Sequence, residues 1–178
     1  MTIITRETKE TRIQVQIERA RDPGAVEASV VTGEPFLDHM LTTLAHYAAF
    51  DLHVTAAGDL RHHLIEDTAI ALGQAVALLV PSGAARYADR TIPMDDALVQ
   101  VALDVGGRPY YRGKLPSPLY NHWMRSFATN ARATLHLRVL RGHDRHHIVE
   151  AGFKALGFSL RDALVDTGAV MSIKGTVQ

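Results

Sequence analysis

Displaced by 84 residues, the chain falls on a second copy of its own motifs. Arg61-His62-His63 lands on Arg145-His146-His147, Glu66 on Glu150, and Ala71-Leu72-Gly73 on Ala155-Leu156-Gly157. Gly58 lands on Gly142 and Val15-Gln16 on Val99-Gln100, and a one-residue slip brings His39 onto His122. A repeat this long in 178 residues leaves room for two units, and no linker rich in Pro, Gly or Ser separates them for independent movement. The expected architecture is one domain, residues 1–178, made of two pseudo-symmetric halves, about 1–90 and 91–178.

Patterning gives both halves one order of elements: strand, strand, helix, strand, helix. Ile13, Val15 and Ile17 alternate along a strand from Arg12 to Glu18. A turn at Arg21-Asp22-Pro23-Gly24 leads to a second alternating run through Val26, Ala28 and Val30, which predicts an antiparallel hairpin. Phe36 to Phe50 has helical apolar spacing, Asp51 to Thr55 forms a short strand, and a long helix runs from about His62 to Val80. The second half begins with a strand from Asp96 to Asp104, a turn at Gly106-Gly107-Arg108-Pro109 and a return strand from Tyr110 to Lys114. A helix from Tyr120 to about Asn130, a strand through Leu135, Leu137 and Val139, and a helix from about His146 to Asp162 complete it. The fold class is α+β, with each half an antiparallel sheet backed by helices.

Residues i, i+3 and i+4 share a helix face, so each His-His-x-x-Glu brings a histidine and a carboxylate together one turn apart. Neutral imidazole and carboxylate converging in this way form a chelating geometry. A lone helical histidine is usually a surface or hydrogen-bonded residue, but two copies at one offset point to two metal sites. Adjacent histidines project about 100° apart on a helix. Each pair therefore serves two different metals, one of which could belong to a neighbouring subunit. His39 and His122, early in their helices, are candidate further ligands. The inverted zinc-protease order, with a histidine after the glutamate, occurs in neither copy. Nitrogen and oxygen donors leave Mn(II), Fe(II), Zn(II) and Ni(II) open. His46, His53, His136 and His143 lack this patterning and are expected to be ordinary surface or core residues.

Composition removes several classes. The absence of cysteine excludes disulfides, thiolate metal sites and a cysteine nucleophile, and it fits a reducing, cytoplasmic setting. Basic and acidic residues balance at 19 each, so nothing favours nucleic acid or an acidic membrane surface. The most apolar run, Ala69 to Val80, is too short to span a bilayer, and Met1 to Arg12 lacks the apolar core of a signal peptide. Arg86, Arg108 and Lys174 each read as ordinary loop-end charges. As a set they suit a phosphate, which arginine forks and a lysine point charge hold well.

Thr8-Lys9-Glu10-Thr11, Pro35-Phe36-Leu37-Asp38-His39-Met40-Leu41, His62-His63-x-x-Glu66-Asp67 and Gly107-Arg108-Pro109-Tyr110 follow one another along the chain. His146-His147-Ile148-Val149-Glu150-Ala151-x-Phe153-Lys154-Ala155 and Ser172-x-Lys174-Gly175 complete the series. In this order, over nearly the whole length, the motifs resemble those of the imidazoleglycerol-phosphate dehydratase family of histidine biosynthesis. The resemblance implies a duplicated α+β fold of the ribosomal protein S5 domain 2-like type. It also implies a homo-oligomer of 24 chains with active sites between subunits, and Mn(II), two ions per subunit, holding the imidazole of a small phosphorylated substrate. By motif, His39, His62, His63, Glu66, His122, His146, His147 and Glu150 would be metal ligands. Glu10, Arg86, Arg108, Ser172 and Lys174 would contact the substrate, the basic ones chiefly at its phosphate.

The implied reaction is loss of water from D-erythro-imidazole-glycerol phosphate to give imidazole acetol phosphate. A carboxylate must move protons, and Glu66, Glu150 and Glu10 all remain open for that role. The chain departs from the family pattern in a short lead-in to His62, Gly58-Asp59-Leu60-Arg61, and an abbreviated segment after Tyr110. Leu64 replaces a usual threonine, Asn121 a usual acidic residue and Ile173 a usual serine. The same ligands would also serve a metal-dependent hydrolase or oxygenase, or a non-catalytic metal-binding shell protein. The shell protein would have no use for the three cations.

Overall fold

A computed structural model describes residues 1–171. The first unit runs β1 (Thr2–Glu7), β2 (Thr11–Arg19), β3 (Ala28–Val31), α1 (Pro35–Ala48), β4 (Phe50–Gly58) and α2 (Arg61–Leu79). The second runs β5 (Tyr87–Met94), β6 (Ala97–Asp104), β7 (Tyr110–Arg112), α3 (Pro118–Asn130), β8 (Thr134–Arg141) and α4 (Arg145–Ala163). Helices α2 and α4 keep the offset of the repeated motif at both ends. Alternation accounts for the central strands: Ile13, Val15 and Ile17 of β2, and Ala97, Val99, Val101 and Leu103 of β6, all point into the core.

Two four-stranded sheets result, ordered β1-β2-β4-β3 and β5-β6-β8-β7. Both are mixed, which corrects the expectation of antiparallel hairpins. β2 pairs with β1 and β4, and β3 lies parallel to β4 on its far side. Likewise β7 is parallel to β8 and does not return along β6. The physical reason is the helix between the paired strands: a β3–α1–β4 crossover carries the chain back to start a parallel neighbour, which a tight turn cannot do. Strands β1 and β5 are the additional elements. They are edge strands, half exposed and rich in polar residues, and β5 accommodates Pro93 because an edge can spare a donor.

Helices α1 and α2 cover one face of the first sheet, and α3 and α4 cover one face of the second. The two helical layers then meet, α1 against α4 and α2 against α3. Glycine sets how close they come. A Cβ on Gly73 of α2 would lie 2.7 Å from the Phe127 carbonyl oxygen of α3. On Gly157 of α4 it would lie 2.8 Å from Tyr47 Cβ and 3.0 Å from the Leu44 carbonyl oxygen of α1. These two glycines are repeat equivalents, and the atoms they meet are backbone or, for Tyr47, a Cβ bonded directly to it, which cannot swing aside. Gly73→Ala is expected to destabilise the fold by about 1–3 kcal/mol through overpacking, despite the roughly 1 kcal/mol of helix propensity it gains. Urea unfolding at neutral pH measures this; an unchanged midpoint would remove the close approach as a constraint.

The abbreviated segment after β7 is closed by the residue that departs from the family pattern. Asn121 Oδ1 accepts from the Tyr111 hydroxyl at 2.8 Å and from the Leu115 N–H at 3.0 Å. Burial pushes the Tyr111 phenol up to about 12, and Arg125 offsets part of that rise. A phenol whose folded value lies above its unfolded value of about 10 stabilises fully below that value and loses its contribution as pH rises towards 12. Unfolding midpoints should therefore fall between pH 10 and 12, and fall less steeply in Tyr111→Phe. Parallel slopes for the two proteins would contradict this.

Candidate metal centre and active site

Crossing of the helical layers builds two matching clusters, and each draws on both halves. His62 and Glu66 of α2 meet His122 of α3; His146 and Glu150 of α4 meet His39 of α1. In each group one donor atom per residue lies within 4.8 Å of the others. The imidazoles stack nearly parallel, His62 on His122 with centroids 5.4 Å apart and His39 on His146 with centroids 5.8 Å apart.

Glu66 lies between its two histidines, with Oε1 3.0 Å from His122 Nε2 and Oε2 3.4 Å from His62 Nε2. His122 Nε2 is sealed from solvent, yet its angle to Glu66 allows no hydrogen bond. Donors that converge on one point without satisfying each other suit a divalent cation with nitrogen and oxygen ligands. In the second cluster both histidines share one oxygen, Glu150 Oε2, at 3.2 Å from His39 and 3.0 Å from His146. Burial would raise the Glu150 carboxyl, but hydrogen bonds from Lys154 and His39 outweigh it and hold the group below the usual carboxylate range. Lys154 Nζ is 2.9 Å from Glu150 Oε1. Sequence reasoning gave Lys154 no role, although its i+4 spacing from Glu150 was the available signal.

His63 and His147 turn away from these clusters. Their ring planes lie 81° and 90° from those of the preceding histidines. His63 Nδ1 is 2.9 Å from Asp59 Oδ1, with Glu10 Oε2 at 3.6 Å. His147 Nδ1 is 2.8 Å from Asp96 Oδ1. These hydrogen bonds raise both histidines above the usual imidazole value and lower both aspartates. On a neutral ring a carboxylate at Nδ1 fixes the proton there and leaves Nε2 as the donor atom. Asp59 and Asp96 were missed in the sequence because neither carries a motif of its own.

Arg86 forms a fork with Asp104, Nε to Oδ1 and a terminal nitrogen to Oδ2, both at 3.1 Å. Arg108 is exposed, and its carbonyl accepts from Thr134 Oγ1 at 2.9 Å. Neither makes a hydrogen bond or ion pair with a cluster residue among the described residues. Ser172 and Lys174 lie outside the described residues. A cleft of 300 Å³ opens beside the second cluster, between Phe36, Arg61, Tyr120, Arg145 and His146. Arg61 and Arg145, which flank it, are repeat equivalents.

Fold and site together define a duplicated α+β protein with two matched sets of imidazole and carboxylate donors. The family model described as imidazoleglycerol-phosphate dehydratase matches residues 32–160. The chain belongs to that family, hydro-lyases of histidine biosynthesis. It is 45% identical to the imidazoleglycerol-phosphate dehydratase of Pyrobaculum calidifontis, covering 97% of this chain and 98% of that one. The Salinispora tropica imidazoleglycerol-phosphate dehydratase is 44% identical, with 98% and 97% covered. The crystal structure of IGPD from Pyrococcus furiosus in complex with (S)-C348 superposes with a TM-score of 0.86 at 40% identity, covering 97% of this chain and 99% of that one. The Staphylococcus aureus imidazoleglycerol-phosphate dehydratase follows at 0.76 and 29%, covering 94% and 100%.

Proposed function

We propose that this chain dehydrates D-erythro-imidazole-glycerol phosphate to imidazole acetol phosphate with Mn(II), two ions per subunit. The observation that carries the reading is the pair of cross-half clusters, whose donor set fits such an ion. His62, Glu66 and His122 would hold one ion and His39, His146 and Glu150 the other. His63 and His147 would complete the coordination in neighbouring copies of a 24-chain assembly through Nε2, which in His147 lies 3.5 Å from Asp95 Oδ2. Bound through nitrogen and oxygen, the ions would supply Lewis acidity to an imidazole ring.

The chain's own groups divide the remaining work. Both oxygens of Glu66 face histidines, and those of Glu150 face His39, His146 and Lys154. Glu10 alone of the three candidate glutamates lies outside the clusters, exposed and beside His63. Glu10 therefore takes the proton from the carbon next to the one that loses its hydroxyl. Proton and hydroxyl together balance as water, and the enol left behind becomes the ketone. Arg86, held in orientation by Asp104, would bind the phosphate with Arg108, Ser172 and Lys174, fixing the reacting carbon against Glu10. That Arg86 and Arg108 make no hydrogen bond or ion pair with the clusters supports active sites shared between subunits. A cytoplasmic setting fits such an enzyme; among the described residues no helix is long and apolar enough to cross a membrane.

Turnover of imidazole-glycerol phosphate by the Mn(II)-loaded protein is the direct test. Chelation should abolish it and added Mn(II) restore it. An intact, metal-loaded protein that leaves this substrate untouched sinks the reading and favours a non-catalytic shell protein.

A further inference from the structure

Asp67 is a buried carboxylate that belongs to neither cluster. It follows Glu66 on α2, about 100° further around the helix, and is 7% exposed. Thr11 Oγ1 donates to Asp67 Oδ2, and Arg6 Nε lies 2.9 Å from Asp67 Oδ1. Both partners flank the turn that carries Glu10. Within that turn Thr8 Oγ1 accepts from the Glu10 N–H at 3.1 Å and from the Thr11 N–H at 3.0 Å. On the other side the Asp59 N–H donates to the Glu10 carbonyl at 3.0 Å. The Glu10 backbone is thus held at both ends, and the turn as a whole is tied to α2 through one carboxylate.

The repeat supplies an internal control. At the offset of 84 residues, Met94 stands where Glu10 does and Ala151 where Asp67 does. The second half has lost both the turn's glutamate and the helix carboxylate beneath the turn. Its counterpart of Arg6, Arg90, pairs instead with Asp162. The second half thus keeps a strand-to-helix pin for β5, through Arg90 and Asp162, and what it lacks is a carboxylate beneath the turn itself, where Ala151 stands. In the first half that carboxylate reaches Thr11, the residue next to Glu10.

We propose that Asp67 is a positioning residue that holds Glu10 in register with the metal-binding turn of α2, acting through Thr11 and Arg6. A charged acceptor suits this role, since hydrogen bonds to an ionised carboxylate are shorter and stiffer than neutral ones. The inference rests on the reading of Glu10 as the proton-moving group.

Steady-state kinetics on the Mn(II)-loaded full chain test it, comparing Glu10→Gln, Thr11→Val, Thr11→Ser, Asp67→Asn and the double variant Glu10→Gln/Thr11→Val. Thr11→Val is expected to lower kcat by roughly ten- to a hundredfold while KM stays within about twofold, as misplacement of a reacting group does. Metal content should be unchanged. Thr11→Ser, which retains the hydroxyl, should restore most of the rate, and Asp67→Asn should show a kcat loss of the same kind. The double variant should be no slower than Glu10→Gln alone, because an anchor has nothing to act on once the glutamate is gone. Multiplied losses in the double variant, or a Thr11→Val loss that tracks metal content, would overturn the anchor and leave Glu10 in place. Full rate in Glu10→Gln would overturn both, in a wild-type enzyme that still turns over.

Discussion

Glu10→Gln should lower kcat by roughly 10²–10⁴-fold, the usual span for loss of a proton-moving carboxylate, in a protein that keeps its metal and its melting temperature. The expectation follows from how the three glutamates are employed. Glu66 and Glu150 each face two imidazoles, so replacing either one disturbs the donor set as well as any proton transfer. Glu10 is on an exposed turn, its side chain 3.6 Å from the His63 ring. Glutamine there is close in shape and removes only the ability to accept a proton. Undiminished kcat with normal metal content would return the role to Glu66 or Glu150.

His122→Ala should cost the protein half of its bound metal and roughly a thousandfold or more in activity, on the scale of misplaced and lost electrophilic assistance. His122 belongs to the second repeat, yet its nitrogen lies 3.0 Å from Glu66 of the first. Pairs of substitutions expose this crossing. His122→Ala with Glu66→Ala removes two donors from one cluster and should deplete no more metal than His122→Ala alone. His122→Ala with Glu150→Ala damages both clusters and should strip the protein of metal. The reverse pattern, measured by elemental analysis of the purified chains, would mean that each repeat chelates by itself.

That crossing is also where sequence reasoning stopped. Helix patterning placed all four helices to within a few residues, because long amphipathic or buried runs with clear stops signal strongly. The central strands were legible for the same reason, through the alternation of Ile13, Val15 and Ile17 and its counterpart in β6. Strand order was not. Alternation states that a run is a strand and which face is buried, but it names no neighbour, so β3 and β7 were placed in hairpins when they are parallel edge strands. β1 and β5 escaped because half-exposed edges need few apolar residues.

The doubled His-His-x-x-Glu gave the donor types, and i+4 spacing gave the pairing of His62 with Glu66 and of His146 with Glu150. Assigning His39 to α4 and His122 to α2 needs the packing of α1 on α4 and α2 on α3, which no local pattern encodes. Asp59, Asp96, Asp67 and Lys154 were missed for a related reason. Asp96 and Asp67 act through partners that only tertiary structure supplies, His147 and Thr11, whereas Asp59 and Lys154 sit four residues from His63 and Glu150, a spacing that carries no motif by itself.

Because each cluster joins a histidine of one repeat to a histidine–glutamate turn of the other, a lone repeat owns no complete chelate. A half-length chain would recover both clusters only by associating with a copy of itself around a two-fold axis. Joining the repeats then adds no ligand. It replaces an association between molecules by one within a molecule, at an effective concentration that dilution cannot lower. Severing the connection between α2 and β5 should make metal dissociate from the split protein on dilution to concentrations at which the continuous chain retains it. Fusion would in that sense have gathered the three donors of each cluster, once divided between two molecules, into a single chain.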